Sequence, residues 1–447
     1  MFLGIAAFAA ILVFLWFIRE KSFSLRVFAA LAVGILLGWG LKQFLSPDDI
    51  KAAVSWYDVV GSGYVRLLRM VSIPLIMVSI LTAVVGMSAS KGLAKTTGLI
   101  ILVLMITTAI SAGIGIGAAE VFGLNANEIT VGAAEQKGMD KVVSRAETTD
   151  LSIQQQILNV IPTNPFEAMT GAGPNSTLAV VLFSAMLGAA VLAVRRENSM
   201  LADKFQAGLK VIYEVIMELT WIVIELTPYG ICAIIARTIA QTDYSAIVAL
   251  ASFAGASYVA LILMFIVHLL IVGIFGYSPV TYLRKAWPTL TFAFTSRSSM
   301  ATLPMTIDTL HNRMGLNEGL AGFAASLSTS IGQNGCAGIY PAMLAVMIAP
   351  TVGIDPFTFS FMLKLIVVVA LSSFGIAGVG GGATFAAIMV LSILGLPIAL
   401  AGVLISIEPL IDMGRTALNV SGGITAGLVT GKLTCEANKD IYNSEAK

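Results

Sequence analysis

The chain has 447 residues, of which 57% are hydrophobic and 11% carry a charge, and its formal net charge is +1. A soluble globular protein has about 25% charged residues, and apolar runs long enough to span a bilayer recur along this chain. The sequence therefore predicts one integrated α-helical protein with many membrane spans. The near-zero net charge gives no indication of a nucleic-acid partner.

The N-terminal quarter contains three apolar runs. Residues 2–18 end at a charged tripeptide without the small-residue cleavage site of a signal peptide, so a first spanning helix is predicted. A second run covers residues 25–44. A polar turn is predicted at residues 46–58, SPDDIKAAVSWYD, followed by a third run at 59–87.

Further spans follow on both sides of a long polar region. Residues 99–122 contain GIGIG, which superficially resembles a dinucleotide-binding loop. Because the strand–turn–helix context of such a loop is missing, close helix packing is predicted instead. Residues 123–174 are read as an extramembrane loop. Three spans come next, at about residues 176–194, 209–240 and 246–275. The pattern indicates no role for three glutamates of the second of these, Glu214, Glu218 and Glu225.

Lysine and arginine are concentrated in alternate loops. Since cytoplasmic loops carry the excess of positive residues, that side is predicted to be cytoplasmic. The N-terminus is then outside the cell and the C-terminus inside. His268 lies within an apolar helix and is interpreted as an ordinary packed histidine.

The second half contains two broken apolar segments. Residues 287–310 have a Ser/Thr-rich centre, and residues 357–395 have the glycine-rich centre SSFGIAGVGGGAT. Each is predicted to be a helical hairpin that enters the membrane partway, because uncovered backbone is tolerated there only in protein or a wet cavity. Each is followed by a helix predicted to have an interrupted polar centre, at 328–337 and at 405–423. This repetition is typical of an inverted-repeat secondary transporter.

Five polar residues in 405–423 share one helical face, because their spacing is four, three, one and three residues. They are Glu408, Asp412, Arg415, Thr416 and Asn419. Intramembrane charges are costly, so the face is expected to line a protein interior or a cavity. A binding site for a zwitterionic ligand is favoured, and a structural ion-pair network between helices is the alternative.

Signatures of other function classes are missing from the sequence. It has no HExxH, GxSxG, Walker A or EF-hand pattern. An enzyme and an ATP-driven pump are therefore disfavoured. A channel or an amino-acid-gated sensor stays open, although charges of both signs suit an amino acid better than a bare ion.

The sequence resembles the dicarboxylate/amino acid:cation symporters, the family of glutamate and aspartate transporters, from about residue 24 to 432. The motifs TLPMT (302–306), GIAGVGGGA (375–383) and DMGRTALNVSG (412–422) carry the resemblance, and YVRLLRMVSIPLI (64–76) is similar to the family's second helix. The variants SRSSMATLPMTI and STSIGQNGCAGIYPAM look more like the bacterial L-cystine uptake branch than the acidic amino-acid branch.

The resemblance implies an elevator fold with inverted repeats, two re-entrant hairpins and one extra N-terminal helix. It implies a homotrimer in the bacterial cell membrane whose mobile transport domain carries the substrate. The implied organisation is an extra helix at 1–20, scaffold helices at 21–96 and 175–242, a transport-domain helix at 97–122, an extracellular loop at 123–174, the transport domain at 243–432 and a cytoplasmic tail at 433–447.

The resemblance also implies the substrate contacts. Asp412 would bind the α-ammonium, and Arg415 would meet a distal carboxylate. The α-carboxylate would be bound by Asn419, Ser299 and the hairpin backbone near Arg297 and Ser298. Cys336 stands where relatives usually have threonine, Val379 and Ala383 would line the lid, and Thr416 completes the site. Glu408 is a hypothetical partner for a second ammonium or for Arg415.

The ion sites depart from the family pattern. The family's NMDGT motif reads GQNGC at 332–336, and the aspartate usual near the end of the last helix is Gly423. The residues predicted for ion binding are Thr107, Thr108, Ser330, Gln333, Asn334, Ser373 and Ile376. Sodium prefers oxygen ligands, anionic ones above all, so proton coupling through Glu408 or Asp412 competes with sodium. No cofactor is expected.

The leading hypothesis is secondary active uptake of L-cystine. An acidic amino acid or dicarboxylate is the alternative substrate, because Arg415 is retained.

Overall fold

The computed structural model describes residues 2–21, 23–86, 92–126, 139–140, 142–144, 153–158, 160–170, 176–241, 251–374 and 382–444. Within these ranges the chain is helical, and its only strand-like feature is an isolated bridge between Leu316 and Ala437. The helices of the first half are α1 (Phe2–Phe17), α2 (Phe23–Phe44), α3 (Pro47–Gly86), α4 (Gly92–Val121), α5 (Ile153–Leu158), α6 (Pro165–Met169), α7 (Ser176–Glu197), α8 (Ser199–Glu225) and α9 (Thr227–Gln241).

The second half contains shorter helices. They are α10 (Ala251–Ile274), α11 (Pro279–Ser296), α12 (Leu303–Asp308), α13 (Glu318–Ser328), α14 (Tyr340–Ile348), α15 (Phe359–Ser372), α16 (Gly382–Leu394), α17 (Glu408–Thr434) and α18 (Lys439–Asn443). In the part of the chain described, six helices are long and apolar enough to cross a bilayer, or seven if the bent pair α8–α9 is one span. The prediction of an all-α polytopic membrane protein is confirmed.

Helix α3 begins earlier than the sequence analysis predicts. Residues 46–58 are not a turn, because the Ser46 hydroxyl accepts the backbone N–H of Asp49 at 3.2 Å and so caps the helix. Pro47 and two acidic residues in the first turn are further start signals. The polar stretch is therefore the first turns of a 40-residue helix.

The predicted single span at 209–240 is two helices, α8 and α9, which are bent by 48°. Pro228 lies in the first turn of α9 and has no backbone N–H, so it cannot continue the hydrogen-bond ladder of α8. The break thus has a local cause in the sequence.

Both predicted hairpin segments are interrupted. Helix α11 ends at Arg297 in the left-handed conformation (φ 55°), and α12 begins after a short turn. Helices α15 and α16 form the second segment, whose tip at 375–381 lies outside the described residues. Their partial entry into a membrane stays a prediction.

Only one of the two polar helices is interrupted. After α13 the chain makes a turn and then a π-helix at Asn334–Ile339 that leads into α14. By contrast, α17 is continuous through its polar stretch, and the irregular segment is the 3₁₀-helix Ile398–Ser406 before it. The prediction of an interrupted centre is wrong for α17, because Pro409 stands in its first turn, where a missing N–H breaks no bond.

The helices pack in two groups. Helices α2, α3, α7, α8 and α9 form one group. In the other group α4, α10, α11 and α13 pack against α17, and α14 and α15 pack on α4. The groups meet where α13 lies on α3 and α11 lies on α2. An apolar cavity of about 340 Å³ lies between α2, α10, α11 and α17, lined by residues such as Phe28, Phe265 and Trp287. Helix α1 packs on α2 and α3, and the Tyr57 hydroxyl donates to the Gly4 carbonyl at 2.7 Å.

Candidate substrate-binding site

Three charged side chains meet on the first two turns of α17, on the face that the spacing predicts. Arg415 Nη2 lies 3.2 Å from Asp412 Oδ1 and 3.4 Å from Glu408 Oε1. The Arg415 side chain is 1% exposed and that of Glu408 15%. A guanidinium this deeply buried is tolerated only beside compensating anions, and the two carboxylates provide them.

The first hairpin segment contributes a second guanidinium. Arg297 Nε lies 3.2 Å from Asp412 Oδ2, so the two arginines hold opposite oxygens of one carboxylate. The Ser298 hydroxyl accepts a hydrogen bond from the backbone N–H of Ala301 at 3.2 Å, and this bond shapes the turn after Arg297. The next residue, Ser299, is buried. The turn between α11 and α12 is thereby joined to α17.

The second hairpin segment reaches the same cluster through Thr384. Its hydroxyl donates to Glu408 Oε1 at 3.1 Å. Ala383 precedes it and is fully buried in α16. Val379 and Ile376, predicted for the lid and for an ion site, lie outside the described residues.

Arg415 also stacks on an aromatic ring of α14. Its guanidinium carbon lies 4.5 Å from the centroid of Tyr340, a cation–π contact. Its Nε and Nη1 are buried and have no hydrogen-bond partner within the described ranges. A buried donor without a partner is costly, so these two nitrogens are well suited to an added carboxylate.

Asn419 connects α17 to the start of the π-helix. Its Oδ1 accepts the backbone N–H of Gly335 at 2.7 Å and of Cys336 at 3.3 Å. Its Nδ2 lies 3.2 Å from Gln333 Oε1 and 3.1 Å from Cys336 Sγ. The backbones approach closely here, since a Cβ on Gly335 would stand 2.7 Å from the Arg415 Cα.

Thr416 is buried on α17, but no hydrogen bond described for it reaches another predicted site residue. The structure therefore brings Arg297, Glu408, Asp412 and Arg415 into one ion-pair cluster and joins Cys336 to Asn419 beside it.

The predicted ion-binding residues do not all meet at one position in the structure. The Asn334 amide nitrogen lies 3.1 Å from Thr107 Oγ1 and 3.2 Å from Thr108 Oγ1. The Ser373 hydroxyl instead donates to the Ala370 carbonyl at 2.7 Å and faces Met105 of α4. The Ser330 hydroxyl is buried without a partner among the described residues.

Three contributors were missed by the sequence analysis. His268 is packed, as predicted, but it also bonds Asn334 at 2.9 Å. An ionisable residue inside an apolar span was the available signal for it. Tyr340 and Thr384 lie in ordinary apolar helices, and no local pattern distinguishes them.

Comparison with known proteins extends this picture. The model of the sodium:dicarboxylate symporter family matches residues 23–433, so α1 precedes the matched region. The L-cystine uptake protein TcyP of Shouchella clausii (strain KSM-K16) is 51% identical over 444 residues, which are 98% of this chain and 95% of that protein. The proteins of the same name from Bacillus cereus (strain ATCC 14579) and Bacillus licheniformis (strain ATCC 14580) are each 49% identical, over 96% and 98% of this chain and 94% and 96% of their own lengths.

The sequence motifs, the all-α membrane architecture and a family match over almost the whole length agree with one another. The resemblance stated from the motifs is confirmed: this chain belongs to the sodium:dicarboxylate symporter family.

Proposed function

We propose that this chain is a secondary active transporter that imports L-cystine across the cell membrane, coupled to a cation. Relatives named for L-cystine uptake are about half identical to it over nearly their entire lengths. The observation that carries the proposal is the largely buried cluster of two guanidiniums and two carboxylates contributed by α17 and by Arg297, which directly follows α11. Cystine is a double amino acid, with two ammonium and two carboxylate groups.

Binding then proceeds as an exchange of ion pairs. Without substrate, Asp412 pairs with Arg297 and Arg415, so the buried charges compensate one another. An arriving α-ammonium takes the Asp412 carboxylate, and the α-carboxylate takes the hairpin turn at Arg297, Ser298 and Ser299 together with Asn419. The N–H donors of Arg297 and Arg415 that Asp412 releases then bind substrate carboxylate, because a guanidinium can donate two parallel hydrogen bonds to a carboxylate.

The far half of cystine meets Arg415 and Glu408. The unpartnered Nε and Nη1 of Arg415 suit the second carboxylate, and Glu408 suits the second ammonium. Cys336, Thr416 and Ala383 complete the walls of the site, and the assignment of Val379 to the lid rests on the family resemblance alone. Because Arg415 is assigned to one carboxylate of cystine, a buried arginine is consistent with a substrate whose net charge is zero.

Transport follows an elevator movement. The scaffold comprises the group around α3, and the transport domain comprises the group around α17, with their boundaries as the sequence analysis gives them. The apolar cavity between α2 and the α17 group supports such sliding, because the contact there is incompletely packed and has no ion pair among its lining residues. We infer a homotrimer with the N-terminus outside and the C-terminus in the cytoplasm.

An acidic amino acid or dicarboxylate is the second candidate substrate. The free nitrogens of Arg415 favour it, since they present positive charge to a ligand. However, Glu408 and Asp412 flank the same guanidinium, so a ligand with a net negative charge meets two carboxylates. The balance of charge favours cystine.

The test is uptake of labelled L-cystine into proteoliposomes, with a sodium or a proton gradient imposed separately and excess unlabelled aspartate as competitor. Cystine uptake that aspartate does not block supports the proposal, and the effective gradient identifies the coupling ion. Accumulation of aspartate without cystine uptake would establish the alternative substrate. Full uptake by Asp412→Asn would overturn the site assignment, because the ammonium would lose its assigned anion.

A further inference from the structure

A buried hydrogen-bond network surrounds Asn334, next to the substrate site. Its Nδ2 faces three oxygens: Thr107 Oγ1 at 3.1 Å, Thr108 Oγ1 at 3.2 Å and the Gly332 carbonyl at 3.3 Å. Its Oδ1 faces His268 Nε2 at 2.9 Å. All four side chains of this network are at most 1% exposed.

The orientation of the amide follows from its neighbours. Thr107 and Thr108 both donate their hydroxyl protons to the Leu104 carbonyl, at 3.0 and 2.7 Å, so each presents a lone pair to Asn334. The Gly332 carbonyl can only accept. Three acceptors surround this end of the amide, which must therefore be the NH₂ group.

The same logic assigns the histidine tautomer. Since Asn334 Oδ1 accepts, His268 donates from Nε2, and its neutral ring accepts at Nδ1 from the Ser421 hydroxyl, 3.0 Å away. Ser421 Oγ in turn lies 2.9 Å from the Tyr282 hydroxyl. The network is thus complete with neutral groups.

This arrangement does not fit a sodium ion. A sodium ligand must direct oxygen lone pairs at the ion, and carboxylates offset the loss of its water. Here the NH₂ group of Asn334 occupies the position that the lone pairs of Thr107 and Thr108 face. The amide oxygen of Asn334 points to His268 instead. We propose that the Asn334–His268 pair replaces a cation, so that no coupling sodium binds between Thr107, Thr108 and Asn334.

The experiment counts bound sodium and does not require cystine uptake, so it stands or falls independently of the proposed function. Purified full-length protein in nanodiscs is equilibrated with ²²Na⁺, and bound ions per protomer are measured for the wild type and for Thr107→Val/Thr108→Val. The wild type and the double variant are expected to bind the same number of sodium ions per protomer, and zero for both also fulfils this expectation. One ion fewer in the variant would overturn the proposal.

Two further variants of the chain are measured, one as a control and one in case the double variant does not fold. Thr220→Val is the matched control, because that buried hydroxyl also donates to a helix carbonyl, Ile216 at 2.7 Å, but lies on α8. Thr107→Val alone is measured in the same way if the double variant does not fold, and one ion fewer there would again contradict the proposal.

Discussion

The guanidinium of Arg415 lies over the ring of Tyr340, with 4.5 Å between its central carbon and the ring centroid. The stack holds one face of the guanidinium, while Asp412 and Glu408 hold its Nη2 edge. The orientation of the remaining two nitrogens is thereby determined before any substrate arrives. Preorganised donors of this kind lower the cost of binding.

Replacing Arg415 by lysine is therefore expected to be severe although the charge is kept. A lysine ammonium can approach the ring only as a compact point charge, and it cannot offer the planar two-point fork. Loss of one charge-assisted hydrogen bond costs about 1.5–3 kcal/mol, so the KM for L-cystine should rise by about tenfold or more. Uptake kinetics in proteoliposomes measure this.

Tyr340 variants separate the stack from the charge. Tyr340→Phe keeps the ring face and should change the KM by less than about threefold, whereas Tyr340→Leu should approach the effect of Arg415→Lys. Equal kinetics for the leucine and phenylalanine variants would show that the ring does not orient Arg415.

Glu408→Gln tests the second end of the substrate. The glutamine can still accept from Thr384, but it loses the charge that faces Arg415. The KM for L-cystine should rise by about tenfold, whereas inhibition by S-methylcysteine, which has a single amino-acid end, should not change. Glu197→Gln, at an exposed position, is the control. Unchanged cystine affinity would remove Glu408 from the site.

Asn419→Ala is expected to destabilise the protein as well as to impair uptake. Asn419 Oδ1 is the acceptor for two buried backbone N–H groups, those of Gly335 and Cys336. Leaving such groups unpaired costs about 1–3 kcal/mol each, which a lower Tm in detergent would report. Asn443→Ala, at an exposed position in α18, should leave the Tm unchanged. Equal Tm values for both variants would contradict this account.

The C-terminal tail should stabilise the base of the first hairpin segment. Lys285 Nζ donates to the carbonyls of Arg313 and Ile441 at 2.8 and 2.6 Å, and the Tyr442 hydroxyl donates to the Ser278 carbonyl at 2.8 Å. Lys285→Met leaves both carbonyls unpaired and should cost about 1–3 kcal/mol. Limited proteolysis of the tail should accelerate in this variant and not in Lys439→Met, whose side chain is exposed. An intact tail in Lys285→Met would contradict the anchoring role.

Much of the site could be predicted because it is local. The face that carries Glu408, Asp412 and Arg415 follows from helical periodicity, and the ion pairs join residues three and seven positions apart. The start of α3 could also have been predicted, because Ser46 and Pro47 are ordinary start signals that a polar composition obscured.

Contacts between distant segments could not be predicted from a pattern. Arg297 and Asp412 are 115 residues apart, and Thr107 and Asn334 are 227 apart, yet each pair is joined by a hydrogen bond. The predicted sodium ligands show the consequence. Residue types alone suggest an oxygen site, whereas the orientation of one amide, set by His268 and Leu104, turns it into a network of donors and acceptors.

The sequence by itself determined the membrane class, the helical architecture and the family, because hydropathy, periodicity and contiguous motifs are properties of short stretches. Only the tertiary structure decided which charges neutralise one another, which nitrogens of Arg415 stay available and which way the Asn334 amide points. Those outcomes depend on angles and distances between helices from different parts of the chain, and a hydrogen bond forms only where both are met.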